Sequence, residues 1–446
     1  MKIVRSRSLM LALAALLSQP AARAEEWRQF RGQGARGVAD SSNLPDEWSA
    51  TRNVRWKQDI PGRGWSSPIV TGNRILLTSV VSSGDSEEPT RGLYFGGNRS
   101  NISEAPHEWR ILCLDLETGA ELWSRVVHEG LPLRPRHIKN SYASETPVTD
   151  GERVYALFGD IGLFALTLDG EPVWSKRFEA FPTRYDWGPA ASPVLHEGRV
   201  YVVNDNEQES WLAAFDAATG DEAWRVSRAE KSNWATPFIW ETDQRVELIT
   251  PGSGRTRSYS LDGELLYEFG GASSIMIAAP YAAHGLLYVS SGYVGDPVRP
   301  IVAVRPGAQG DISLADGETQ NDSIAWSLPD AAPYNPTTLV HGDVLYVLHD
   351  RGLFAAYDAR TGRELYGKQR LPNGRAFTAS PWASGDRIYC LSEYGDTFVI
   401  RAGETFELLG VNSLEEDELC MATPAIAGDR LLLRTDRRLY CIGPEG

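Results

Sequence analysis

The chain has 446 residues, 42% of them hydrophobic, with 44 Lys plus Arg against 59 Asp plus Glu. A net charge of −15 without a basic run argues against a nucleic-acid surface and against docking on anionic membranes. The length suits one large or two ordinary domains.

Residues 1–24 read as a secretory signal. Lys2, Arg5 and Arg7 precede the apolar run from Leu9 to Leu17, and Ala22-Arg23-Ala24 carries the small-x-small cleavage pattern. The run is too short to span a bilayer, which takes ~20 residues. No Cys follows the cleavage site, so neither a membrane span nor a lipid anchor is expected. The expected product is exported, periplasmic or extracellular, and starts near Glu25. Residues 25–52 form a lead. Its Gly32, Gly34 and Gly37 make G-x-G-x-x-G, but a dinucleotide site needs a strand before the motif and a helix after it. Neither is present, and the motif reads as a loop.

Beyond the lead the chain repeats. "LDLETGAELW" (Leu114 to Trp123), "FDAATGDEAW" (Phe215 to Trp224) and "YDARTGRELY" (Tyr357 to Tyr366) share an acid, Thr-Gly and a closing aromatic. "LTLDGEPVW" and "YSLDGELLY" are shorter copies. A second marker is a proline opening an apolar stretch, at positions 68, 147, 193, 237, 280, 336, 381 and 424. Most gaps are 43 to 46 residues, the period of a four-stranded propeller blade. Each unit reads as four strands, with Pro at the start of the first, where no ladder donor is needed. The Thr-Gly or Asp-Gly turn sits between the third and the Trp-bearing fourth. The first unit carries a long insertion, 81–109, readable as a lid over one face or as a decorated loop.

The eighth unit stops at its third strand, "RLYCIG", whereas "NVRWKQDI" (Asn53 to Ile60) is a Trp strand with no blade before it. The two ends fit. The predicted fold is an all-β, eight-bladed propeller over 53–446, closed by the N-terminal strand completing the last blade and leaving no open edge.

These residues resemble the pyrroloquinoline quinone (PQQ) repeat family. Its tryptophan-docking motif, Ala-x-Asp-x-x-Thr-Gly-x-x-x-Trp, stands here as Ala214, Asp216, Thr219, Gly220 and Trp224, with Cys113 replacing Ala in the first blade. The resemblance covers roughly 53–443. The lead "WRQFRGQGARGVADSSNLPDEW" and the segment "KNSYASETPVTDGERVYALFGDIG" further resemble exported PQQ-like propellers of environmental bacteria. The resemblance implies the fold and two function classes. One is quinoprotein dehydrogenase, with PQQ and calcium in the central funnel; the other is non-catalytic scaffolding of the BamB-like kind. The adjacent Cys pair of many quinoprotein alcohol dehydrogenases is missing.

Other chemistry is sparse. Cys113, Cys390, Cys420 and Cys441 form no C-x-x-C. Cys113 and Cys441 occupy the repeat position of Ala165, Ala214 and Ala356, and Cys390 that of Ala156. They read as small buried hydrophobes, with a disulfide open in an oxidising compartment. "NDNEQES" (Asn204 to Ser210) lacks the spacing of a calcium loop and reads as a hairpin tip. No metal site is predicted.

The remaining candidate surface is the mouth of the central channel, lined by residues just before each strand-one proline. Trp65, Glu145, Trp187, Trp234, Met276, Tyr334, Phe377 and Met421 belong there, with Lys139, Asp186, Asn233, Arg255 and Arg375 on nearby loops. Aromatics with a few charges suit a planar acidic ligand or a peptide. The sequence reading is a non-catalytic binding or scaffolding module for a protein, peptide or small ligand, with no resident cofactor. The alternative is a PQQ- and calcium-dependent dehydrogenase of alcohols or sugars.

Overall fold

In the computed structural model, which describes residues 26–39, 43–84, 88–93, 101–414 and 418–444, eight antiparallel sheets of four blade strands each form a propeller. The expected export signal lies outside the described residues. The blades span 69–130, 148–177, 194–227, 238–269, 281–328, 339–370, 382–413 and 425–442. The eighth has three strands of its own, and its outer strand is Val54–Asp59, paired antiparallel with Arg438–Ile442 and setting Trp56 opposite Cys441. The N-terminal strand thus closes the ring, as its orphan status in the sequence predicts.

The repeat's recurring spacing has a direct packing cause. Each docking Trp lies over the turn of the next blade. Trp123 donates from Nε1 to Leu168 O at 2.8 Å, Trp174 to Ala217 O at 3.0 Å and Trp224 to Leu261 O at 2.9 Å. At the seam Trp56 does the same to Leu116 O at 3.1 Å. The turn glycine must lack a side chain, because a Cβ on Gly220 would sit 2.6 Å from the Trp174 ring, at a φ of +75°. The strand partner facing each Trp must also be small: Trp174 faces Ala165, Trp224 faces Ala214, Trp123 faces Cys113 and Trp56 faces Cys441.

Two expectations shift by a few residues. In the sixth blade Thr338, not Pro336, holds the position before the inner strand Leu339–His341, as Pro68 does before Ile69–Thr71. Thr serves there because the position needs only an extended backbone, and its oxygens are used: its hydroxyl meets that of Tyr281 at 3.0 Å and its carbonyl accepts from Arg31. In the first blade the second and third strands run to Ser82 and from His107. The connection between them is therefore shorter at both ends than 81–109.

The lead does more than precede the ring. Trp27 and Val70 exchange backbone hydrogen bonds at the inner strand of blade one, and Arg28 O accepts from Thr149 N of blade two. Arg31 donates to Thr338 O and Pro381 O of blades six and seven. Val38–Ala39 pairs in parallel with the inner strand Trp382–Ser384 of blade seven. The segment therefore crosses the channel and seals one end. Gly32, Gly34 and Gly37 all have positive φ, so the G-x-G-x-x-G spacing serves this tight crossing. Arg31 is fully buried, and burial pulls its guanidinium down to about 10.

All four cysteines are free and buried. Burial pushes the Cys113 and Cys441 thiols up to about 12. Thiol titration of native protein is therefore expected to find almost no reactive groups, and titration after unfolding without reductant to find four. A titre of two or fewer under unfolding conditions means a disulfide and contradicts the packing.

Candidate functional site

Along each inner strand, side chains alternate between the channel and the blade core. Counting back from the residue that precedes each inner strand, a proline in seven blades and Thr338 in the sixth, the first and third residues face the axis. The first position carries Ser67, Thr146, Ser192, Thr236, Thr337, Ser380 and Thr423 around the ring, and all seven line one cavity. These hydroxyls knit neighbouring blades together. Ser67 N donates to Thr146 Oγ1 at 2.9 Å, Thr146 N to Ser192 Oγ at 2.9 Å and Ser192 N to Thr236 Oγ1 at 3.1 Å. Ala279 N, Thr337 N and Ser380 N continue the pattern to Thr337, Ser380 and Thr423. The third position adds Trp65, Ser144, Ala190, Trp234, Ile277, Asn335, Thr378 and Met421.

These residues surround a chamber of about 270 Å³ on the propeller axis. Phe30 of the lead contributes to its lining, at the end the lead seals. The opposite end is crossed by part of the first-blade connection. Lys139 Nζ donates to Gly92 O at 2.8 Å, Gly92 N donates to Glu393 Oε2 at 2.8 Å, and Arg91 donates to Glu393 O and Glu418 O. Leu93 then packs with Trp187, Trp234 and Tyr334. Residues 91–93 thus lie over the mouth between blades two and seven, which favours the lid reading of this part of the insertion over mere decoration.

Of the residues expected at the mouth, Trp65, Lys139, Trp187, Trp234, Tyr334 and Met421 meet in the chamber. Trp187 and Trp234 stand 5.7 Å apart between ring centroids, forming one aromatic wall. Lys139 is paired with Glu393 at 2.5 Å. His137, seen only in the structure, packs edge-on to Trp187 at 5.2 Å, and burial followed by the charge of Lys139 pulls its pKa down to about 4, leaving it neutral.

The other expected residues lie elsewhere. Glu145 is buried between blades, with Oε1 accepting from Gly159 N at 2.9 Å. Alternation explains this: Ser144 and Thr146 take the channel side, so Glu145 takes the other. Asn233 is turned to Pro251 O and to Asp205, between blades three and four. Asp186 sits in a short turn ahead of Trp187. Arg255 pairs with Asp311 at 2.8 Å on the flank of blade four. Arg375 is exposed, with its guanidinium over the Tyr394 ring at 4.2 Å. Met276 and Phe377 belong to blade cores. The residues that sequence reasoning missed are the hydroxyls, and the Ser or Thr directly before the proline in six of the blades was their signal.

A family model described as outer membrane protein assembly factor BamB matches residues 47–208, 107–267 and 208–445. The chain belongs to the BamB family of PQQ-like propellers. One relative in this family, the outer membrane protein assembly factor BamB of Burkholderia pseudomallei (strain K96243), is 22% identical over 256 residues. That match covers 52% of this chain and 63% of the relative, so less than two-thirds of the relative's length is spanned. Among solved structures, the quinohemoprotein alcohol dehydrogenase of Comamonas testosteroni superposes with a TM-score of 0.59 at 12% identity, over 96% of this chain and 82% of that one. The computationally designed Ika8 protein does so with a TM-score of 0.51 at 11% identity, over 91% of this chain and 99% of Ika8. At these identities the likeness is one of fold.

The BamB-family fold raises the question of PQQ with calcium, and the donor set of the chamber answers it. Three cofactor carboxylates need cationic partners, and calcium needs several oxygen ligands, carboxylates foremost. The chamber wall supplies one cation, Lys139, already paired with Glu393, and no Asp or Glu lines it. Among the described residues no group of three or more His, Cys, Asp or Glu is placed to hold a metal ion. These residues do not fit the pair. No helix among the described residues is long and apolar enough to cross a membrane.

Proposed function

We propose that this chain is an exported, non-catalytic binding module that takes a ligand into its axial chamber, acting in the periplasm or outside the cell. The observation that carries this reading is the chamber itself. Propeller channels narrow by packing alone, but this one is crossed at one end by a dedicated segment and overlain at the other by residues 91–93. Between these ends it keeps an aromatic wall and a hydroxyl ring. The basic-to-acidic-to-nucleophile constellation that a catalytic reading requires is not assembled around it, since its only cation is neutralised and its histidine is held uncharged.

Two measurements test the proposal. Thermal-shift screening with a library of neutral and charged metabolites and short peptides is expected to give hits that vanish in Ser192→Trp, which fills the chamber. A library without a single such hit overturns the reading. Calorimetry with PQQ and calcium, followed by dye-reduction assays across simple alcohols and aldoses, is expected to show neither tight binding nor turnover. Submicromolar PQQ binding accompanied by turnover replaces the binding module with the dehydrogenase.

A further inference from the structure

Resting on the chamber-binding reading, we infer that the ligand is a neutral, ring-sized carbohydrate: one pyranose, held by its C–H face on the indoles and by its hydroxyls on the Ser/Thr ring. Four observations converge on this class. First, the chamber divides into an aromatic part, with Trp65, Trp187, Trp234 and Tyr334, and a hydroxyl part. A pyranose divides the same way, into an apolar C–H face and a rim of hydroxyls, whereas a lipid chain or an aromatic ligand leaves the hydroxyl ring unmatched.

Second, the ring hydroxyls have capacity to spare. Each of the six that accepts a backbone N–H from the preceding blade keeps its own proton and a second lone pair, and that proton has no acceptor among the described residues. A hydroxyl is both donor and acceptor, so a circle of them matches a ligand whose polar groups are themselves hydroxyls. Third, two residues of the chamber lining carry a buried polar atom without a partner: Ser67 Oγ and Trp187 Nε1. Ser67 is 1% exposed and Trp187 is 7% exposed. Buried polar groups are normally satisfied, so a ligand oxygen that reaches either atom on a small side-chain shift supplies the missing partner.

Fourth, charge and size restrict the choice. Lys139 is consumed by Glu393 and His137 is neutral, so the chamber offers no uncompensated charge to an anion or a cation. The volume of about 270 Å³ lies just below the roughly 300–1,000 Å³ of drug-sized ligand sites, which fits a single ring rather than a chain.

The test is titration of the full chain with neutral hexoses, an N-acetylhexosamine, hexuronates and oligosaccharides ending in the same sugars. It is followed by tryptophan fluorescence and calorimetry in the wild type, Trp187→Ala, Ser192→Ala and Ser192→Trp. A neutral pyranose is expected to bind saturably and to shift tryptophan emission, with hexuronates weaker. Loss of one hydroxyl in Ser192→Ala is expected to weaken binding about 2- to 10-fold, the worth of a single neutral hydrogen bond, and Ser192→Trp is expected to abolish it at an unchanged far-UV spectrum. Equal binding of a monosaccharide and an oligosaccharide with the same terminal ring assigns a chain end as well as the free sugar; loss of the oligosaccharide assigns the free sugar alone. Saturable binding that survives Ser192→Trp overturns the inference, because the sugar then sits elsewhere. Chamber-dependent hits from the wider library with no pyranose among them overturn the carbohydrate and leave the binding module standing. Absence of both overturns the two together.

Discussion

Truncation of the Trp56 side chain to Ala is expected to lower the thermal midpoint of the entire propeller, and deletion of residues 25–60 to lower it further. Val54–Asp59 is the only partner of the outward edge of Arg438–Ile442 among the described strands. Trp56 joins the eighth blade to the first, since its Nε1 donates to Leu116 O and its ring lies against Gly119. Truncating a core aromatic costs about 3–5 kcal/mol; Trp56 is half-buried, which places it at the lower end. The seam can be attacked from its other side. A Cβ on Gly119 falls 2.5 Å from the Trp56 ring, so Gly119→Val is expected to mimic the loss while leaving the tryptophan in place. Scanning calorimetry checks all three, and midpoints matching the wild type in each would remove the N-terminal strand from the ring.

Glu145→Gln is expected to stabilise the protein, increasingly so as pH rises. Burial pushes the Glu145 carboxyl from 4.5 up to about 8, with bonding from Gly159 N pulling the other way and Asp160 adding to the rise. Its Oε2 has no partner. Between those two pH values the folded chain holds a proton that the unfolded chain has released. Stability therefore falls as pH rises through the window, by about 1.4 kcal/mol per unit for one such group. Glutamine supplies the protonated shape without titrating. The two proteins are expected to melt alike near the acid end and to diverge by several degrees in mildly alkaline buffer. Asp160, pushed up to about 7 chiefly by burial, keeps a residual slope in the variant, which Asp160→Asn then flattens. Parallel curves of midpoint against pH for wild type and Glu145→Gln would show that the carboxyl is already ionised in the folded protein.

The ring was legible in the sequence because each blade solves the same local problem with the same residues. Gly220 admits Trp174, and Gly170 admits Trp123; such close approaches leave glycine and tryptophan at fixed spacing. The one slip of register came at Thr338, where a threonine meets the backbone requirement and Pro336 stands two residues away as a decoy. The chamber was half legible. Large residues near the markers drew attention to Trp65, Trp234 and Tyr334, and these line it. Proximity along the chain misplaced Glu145 and Asn233, because neighbours on an extended segment point to opposite sides. Applying that alternation to the residue before each proline would have selected six of the seven ring hydroxyls, with Thr337 hidden behind the decoy Pro336. The part played by the lead was hidden for a different reason. Its contacts to Val70, Thr338 and Pro381 are distant in sequence, and no local pattern encodes them.

The seam also sets the order of assembly. Val54–Asp59 precedes the repeat, and its pairing strand, Arg438–Ile442, comes at the far end of the repeat. Pairings this far apart carry a large loop-closure cost and form late. Until the two strands meet, the propeller is an open arc, and Arg438–Ile442 offers an unpaired edge to any passing extended chain. A chain that stops short of that strand leaves Trp56 without its blade and the lead without a finished channel to cross. Closure is therefore the step that gives the eighth blade its fourth strand and Trp56 its place between the last blade and the first.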